Sequence, residues 1–262
     1  MKKFLLILIL TMTTAVFAAG ELCVADATGG APLSFLMRAS IELSLQETMN
    51  LYMQRITPTA ALKELDNGTV DAVIVDLRFA KNRPFVPLCA EALALYVSSA
   101  NPGARLTVKQ VQEILFAHEP TWKSYNNLPL DIQRVMLNSL APSGTRVRRV
   151  FGNKVFDSKI FKVDSMSAGF SFSNSASIFF AGYTPGYPQE IKCLYIDDIP
   201  PTTSTITDGS YPLALHYGIV YRKKTPELEM WINFISSEKY RNEMKNAGLF
   251  VLLPEIIGVE KR

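Results

Sequence analysis

Apolar residues along this chain fall into short runs that alternate with longer amphipathic stretches. Residues 21–25 read as a short apolar strand. Beyond the loop Ala27-Thr28-Gly29-Gly30-Ala31-Pro32, the residues Leu33, Leu36, Met37, Ile41 and Leu45 fall on one face of a helix. Residues 50–56 read as a second strand. Thr57-Pro58-Thr59 then opens a helix over 60–67, with Gly68 suited to the left-handed position past its end. Residues 70–76 make a third strand, apolar enough to be buried on both faces. This βαβαβ order is the unit of a parallel sheet.

The second half repeats the alternation. A strand over 91–98 is followed by the turn Asn101-Pro102-Gly103, and Thr107 and Gln110 have capping-box spacing. The helix so started buries Val108, Val111, Ile114 and Leu115. A strand over 131–137 leads through the loop 139–145 to a helix over 146–151, and strands over 177–181 and 192–196 follow. The stretch 199–211, rich in Pro, Thr, Asp and Gly, reads as an extended crossing segment. A strand over 213–221, a helix capped at Thr225-Pro226 and a last helix ending at Gly248 close the pattern. The expected architecture is α/β with two lobes around a cleft, each a mostly parallel sheet flanked by helices. Lobe one combines 19–94 with 207–262, and lobe two is 95–206. Ligands in open α/β sheets bind beyond the carboxyl ends of strands, so the loops after strands are the place to look.

The first residues stand apart. Met1-Lys2-Lys3, an apolar run over 4–10 and small residues up to Ala18 have the three parts of a signal peptide, with cleavage expected after Ala18 and a periplasmic or secreted product. An anchor is the weaker reading, because three threonines interrupt a segment barely long enough to cross about 30 Å of hydrocarbon. Cys23 follows Gly20-Glu21-Leu22, which is not a lipidation signal. Nothing later is apolar for long enough to span a membrane. The formal charge of +3 falls to +1 without Lys2 and Lys3, which argues against nucleic-acid or acidic-surface partners. Three widely spaced cysteines, Cys23, Cys89 and Cys193, fit no zinc site; they read as buried thiols or, alternatively, with a Cys23–Cys89 disulfide. With only His118 and His216, neither a histidine metal cluster nor a serine–histidine triad is expected, and no cofactor is implied.

Four loops could carry chemistry: Thr28-Gly29-Gly30, Thr57 and Thr59, Asp76, and Pro142-Ser143-Gly144-Thr145-Arg146. Hydroxyls, glycines and free N–H groups at helix starts suit oxyanions. Thr28, Thr59 and Ser143 equally suit helix N-caps. Arg146, Arg148 and Arg149, read as a helix's first turn, oppose the macrodipole by about 0.3–1 kcal/mol each. An anionic ligand, or acidic residues elsewhere, would offset that.

Several pieces taken in order resemble the phosphate-binding proteins of bacterial ABC importers. They are the run 106–115 with Thr121-Trp122, then Ser143-Gly144-Thr145-Arg146, Gly182-Tyr183, Asp208-Gly209-Ser210-Tyr211-Pro212-Leu213, and Gly248-Leu249-Phe250-Val251. The resemblance extends over residues 20–253 and implies a type II periplasmic binding-protein fold that closes on an oxyanion. It gives Thr28 and Gly29 to a first binding loop and Thr57 or Thr59 to a second. It makes Asp76, five residues after Asp71, the carboxylate after the third strand, and Ser143, Gly144 and Thr145 with Arg146 the last loop. Where the family usually carries an arginine and an acidic residue before Ser-Gly-Thr, this chain has Ser139 and Ala141. Either Arg146 or Arg134 compensates, or the anion differs, or binding is weak. Asp76 is expected to favour phosphate, which near neutral pH can donate a proton to a carboxylate, over sulfate, which cannot. The implied function is a non-catalytic exported protein that delivers a phosphate-like oxyanion to an ABC transporter permease. The alternatives are a degenerate relative acting as a sensor or interaction module, and a hydrolase, for which the sequence offers no Gly-x-Ser-x-Gly elbow.

Overall fold

The computed structural model describes residues 20–29, 33–47, 49–137, 143–152, 161–163, 174–187 and 189–253. The expected signal peptide and its cleavage point lie outside these residues, as do Gly30, Ser139 and Ala141.

The first elements are β1 (Gly20–Asp26), α1 (Ser34–Gln46), β2 (Met49–Arg55), α2 (Pro58–Asn67), β3 (Ala72–Asp76) and β4 (Phe85–Ser98). Then come β5 (Arg105–Leu106), α3 (Val108–Phe116), α4 (Lys123–Asn126), β6 (Gln133–Leu137), α5 (Ser143–Phe151) and β7 (Phe161–Val163). The chain continues through β8 (Ser177–Gly182), β9 (Ile191–Cys193), β10 (Tyr195–Ile196), α6 (Thr203–Thr207), β11 (Ala214–Tyr221), α7 (Pro226–Ile235), α8 (Glu238–Asn246) and β12 (Phe250–Val251).

Local chemistry sets several of these boundaries. Thr57 caps α2 through its side chain on Ala60 N–H, Pro58 occupies the first turn where its missing N–H costs nothing, and Gly68 ends the helix at φ +76°. Thr107 and Gln110 form the expected reciprocal capping box on α3. β3 is buried along its whole length, so its alternation is lost in a continuous apolar run.

The main sheet runs β2-β1-β3-β11-β4-β8-β6-β7, with β9 and β12 also paired to β4. It is parallel at its two flanks and antiparallel where β11 and β4 pass through the middle. β4 has 14 residues and changes partners along its length. Residues 85–92 pair with β11, and residues 93–97 pair with β8. One core cluster gathers on the first side around Leu22, Ile74, Leu215, Tyr217 and Trp231. Another gathers on the second side around Leu93, Leu95, Ile114, Trp122 and Ile178.

Five expectations need correction. α1 buries Phe35, Leu36, Ala39 and Leu43, while Met37, Ile41 and Leu45 face solvent, Leu45 being 83 % exposed. Both stripes satisfy the helical period; the buried one carries the small Ala39 and Ser40, which allow close approach. The stretch 199–211 is not simply extended, because Thr202 and Thr205 form a capping box that starts the short helix α6. The strand expected at 91–98 begins six residues earlier, at Phe85, and 192–196 is split into β9 and β10. Finally, α5 starts at Ser143, so Arg148 and Arg149 occupy its last turn, where cations suit the macrodipole instead of opposing it.

The three cysteines are free thiols. Among the described residues, no helix is long and apolar enough to cross a membrane.

Candidate functional site

Midway along β4, where its partner changes from β11 to β8, an apolar run is interrupted by one carboxylate, Glu91. It is 1 % exposed, a position a carboxylate holds only when paired. Its partners come from distant segments. Arg146 Nε donates to Oε2 at 2.8 Å, and Arg149 Nη2 donates to Oε1 at 2.5 Å. The Tyr217 hydroxyl, on the neighbouring β11, donates to Oε1 at 2.8 Å. Burial alone would raise the Glu91 carboxyl. The charges of Arg146 and Arg149 and the hydrogen bonds from Tyr217 and Arg146 outweigh it and hold the pKa below the ordinary value. The same burial, with Glu91 alongside, drives the Tyr217 phenol well above its usual range, so it stays a neutral donor.

Both arginines stand on α5. Arg146 lies against Gly182 at the end of β8; a Cβ there would come within 2.9 Å of Arg146 Nη1, so only glycine leaves the guanidinium its place. Arg149 is 9 % exposed in its side chain, yet its Nε and Nη1 are buried with no hydrogen-bond partner. Across from it lies the loop after β1. A Cβ on Gly29 would sit 4.0 Å from Arg149 Cγ and Cδ, and Gly29 itself turns the backbone at φ +66°. Within this loop the Thr28 amide and hydroxyl both donate to Asp26 Oδ1, at 3.1 and 2.7 Å, while Asp26 Oδ2 accepts from Arg55 Nε at 3.0 Å.

Asp76 ends β3 beside the same helix. Its Oδ1 accepts from the Arg78 amide at 2.9 Å, and its Oδ2 from Arg78 Nε and Nη2 at 2.9 and 2.6 Å. Arg78 Nη2 also donates to the Arg149 carbonyl at 2.9 Å, joining the end of β3 to α5. Asp76 and Arg78 line a depression of about 260 Å³ together with Thr207, Asp208, Gly209 and His216. Among the described residues no cluster of His, Cys, Asp or Glu could hold a metal ion.

The structure therefore brings Thr28, Gly29, Asp76 and Arg146 into one neighbourhood. Ser143, Gly144 and Thr145 form the first turn of α5; their side chains lie outside the described part. Thr59 is exposed on the first turn of α2 and has no hydrogen bond to this group; the cap there is Thr57. Arg134 serves elsewhere. It is buried and donates through Nη1 to the carbonyls of Ile114, Leu115 and Ala117, closing the C-terminal end of α3. Sequence reasoning missed Asp26, Arg55, Arg78, Glu91 and Tyr217, and placed Arg149 in the wrong turn. The signal for Glu91 was present: a lone carboxylate inside an apolar strand requires a cation from elsewhere.

The family described as PBP superfamily domain matches residues 54–239. An ABC-type phosphate transport receptor from Vibrio cholerae superposes with a TM-score of 0.63 at 18 % identity, covering 88 % of this chain and 99 % of its own. PstS from Borrelia burgdorferi superposes with a TM-score of 0.68 at 15 % identity, covering 88 % and 98 %. Comparison by sequence with curated proteins finds no match. The fold is that of the type II periplasmic binding proteins. The order of strands and the superpositions agree on the fold, and by the family match over residues 54–239 the chain belongs to the PBP superfamily.

Proposed function

We propose that this chain is an exported, non-catalytic solute-binding protein for phosphate or a similar oxyanion, which it delivers to an ABC importer. Residues 1–18 are its signal peptide. Residues 19–94 with 207–262 form one lobe and 95–206 the other, closing on the anion from two sides. The observation that carries this reading is a surplus of positive charge at one place. Asp26 is matched by Arg55 and Asp76 by Arg78, but Glu91 faces two arginines. That surplus sits on α5, whose first-turn N–H groups, as in any α-helix, have no partner within the helix, and it faces the Gly29 loop. The similarity in fold to phosphate transport receptors supports the choice of anion.

Calorimetric titration of the mature protein with phosphate, sulfate and acetate tests the reading. Saturable heat with phosphate, and no release of phosphate from p-nitrophenyl phosphate, is expected. If none of the three anions binds, the reading fails, and the chain is better read as an interaction module on the same fold.

A further inference from the structure

We infer that Arg149 is the residue that gives the anion its charged donor, with Glu91 and Tyr217 as the groups that position it. The inference rests on the oxyanion reading above. Three observations lead to it.

The first is incomplete pairing. Arg149 is nine-tenths buried and commits only Nη2, to Glu91; Nε and Nη1 are shielded from solvent with no acceptor. A guanidinium buried with donors unpaired is costly, native structures hold few such groups, and a bound anion would complete these two donors. The second is direction. Side chains on a helix lean toward its N-terminus, so Arg149, in the last turn of α5, reaches back toward the first-turn amides. Its side chain there passes the Gly29 loop. The donors, the positive end of the helix dipole and the loop after β1 thus converge. The third is elimination among cations. Arg146 holds Glu91 and is packed against Gly182, Arg134 closes α3, Arg55 holds Asp26, and Arg78 holds Asp76 and the Arg149 carbonyl. Among the described residues, Arg149 is the cation beside Glu91 whose Nε and Nη1 are both buried without an acceptor.

Glu91 and Tyr217 then have a definite role. Glu91 Oε1 accepts from both Arg149 Nη2 and the Tyr217 hydroxyl, so Tyr217 steadies the carboxylate that holds the guanidinium before the anion arrives, and little side-chain freedom is lost on binding. The Arg78 bond to the Arg149 carbonyl holds the backbone of the same residue.

The test uses the full mature protein and inorganic phosphate. In wild type, saturating phosphate is expected to shift the Arg149 Nε–H resonance, assigned through its bonded correlations to the Arg149 backbone. By calorimetry, Arg149→Lys is expected to bind phosphate roughly tenfold to a hundredfold more weakly, the loss of one charge-assisted hydrogen bond. Wild-type binding with an unmoved Nε–H resonance, or with an Arg149→Lys affinity within twofold, overturns this inference and leaves the oxyanion reading standing. Absence of wild-type binding to phosphate overturns both. Because the resonance is read in the wild-type protein, the answer does not depend on the variant folding.

Discussion

Asp76 and Glu91 are both carboxylates on central strands of one sheet, and they are held in opposite ways. Asp76 sits at the end of β3 and takes its cation from two residues along the chain, an arginine that is itself half exposed. Glu91 sits inside β4 and takes its cations from 55 and 58 residues away. The local pair forms almost as readily in a short peptide as in the folded protein, so it adds little to stability. The distant pair exists only once α5 has docked on β4. It therefore reports on the assembled fold, and it is where positive charge exceeds negative.

Removing the charge of Glu91 should break this comparison most sharply. Glu91→Gln leaves Arg146 and Arg149 buried against each other, and a loss of about 3–5 kcal/mol in urea unfolding is expected. A loss below about 1 kcal/mol would equate it with a surface pair. Acid should reach the same end by another route. Because the folded Glu91 pKa is held below the 4.5 of an ordinary glutamate, its pair contributes fully above that value and is lost as pH falls through the folded pKa. The difference in urea midpoint between wild type and Glu91→Gln should shrink below pH 4.5 and hold constant from there to neutrality. A difference that persists undiminished to the acid limit would show that charge is not its source.

Asp76→Asn sharpens the comparison from the other side. Its stability change should stay within about 1 kcal/mol, since the Arg78 side chain is 54 % exposed. Arg78 already donates three hydrogen bonds to this carboxylate, so the ratio of phosphate to sulfate affinity should move by less than about threefold. A tenfold narrowing of that ratio would return Asp76 to the role of reading the anion's proton. Ile41→Lys, on the solvent stripe of α1, should be nearly silent, within about 0.5 kcal/mol.

What the sequence made legible follows the same division between local and distant. The bounds of α2 and α3 could be read because Thr57, Pro58, Gly68, Thr107 and Gln110 act on neighbours within a few residues. The loops after β1 and β3 could be read as candidate site elements because topology places strand ends together. The buried face of α1 could not, since two apolar stripes fit one period and only the sheet chooses between them. The start of α5 was read three residues late, which turned Arg148 and Arg149 from last-turn cations into apparent anomalies. No periodicity announces that Glu91 meets Arg149, because that pairing is a property of docked elements.

β4 has a consequence for how this molecule can be divided. The boundary proposed above between two lobes, near residue 94, falls inside a strand whose residues 85–92 bond to β11 and whose residues 93–97 bond to β8. A fragment beginning at residue 95 would keep only a stub of its central strand, and one ending at 94 would leave the strand cut short. Each would present unpaired backbone edges of the kind that drive aggregation. Hybrids that exchange one half of this chain for that of a relative should therefore place their junctions in the turns on either side of β4 and carry the strand across whole.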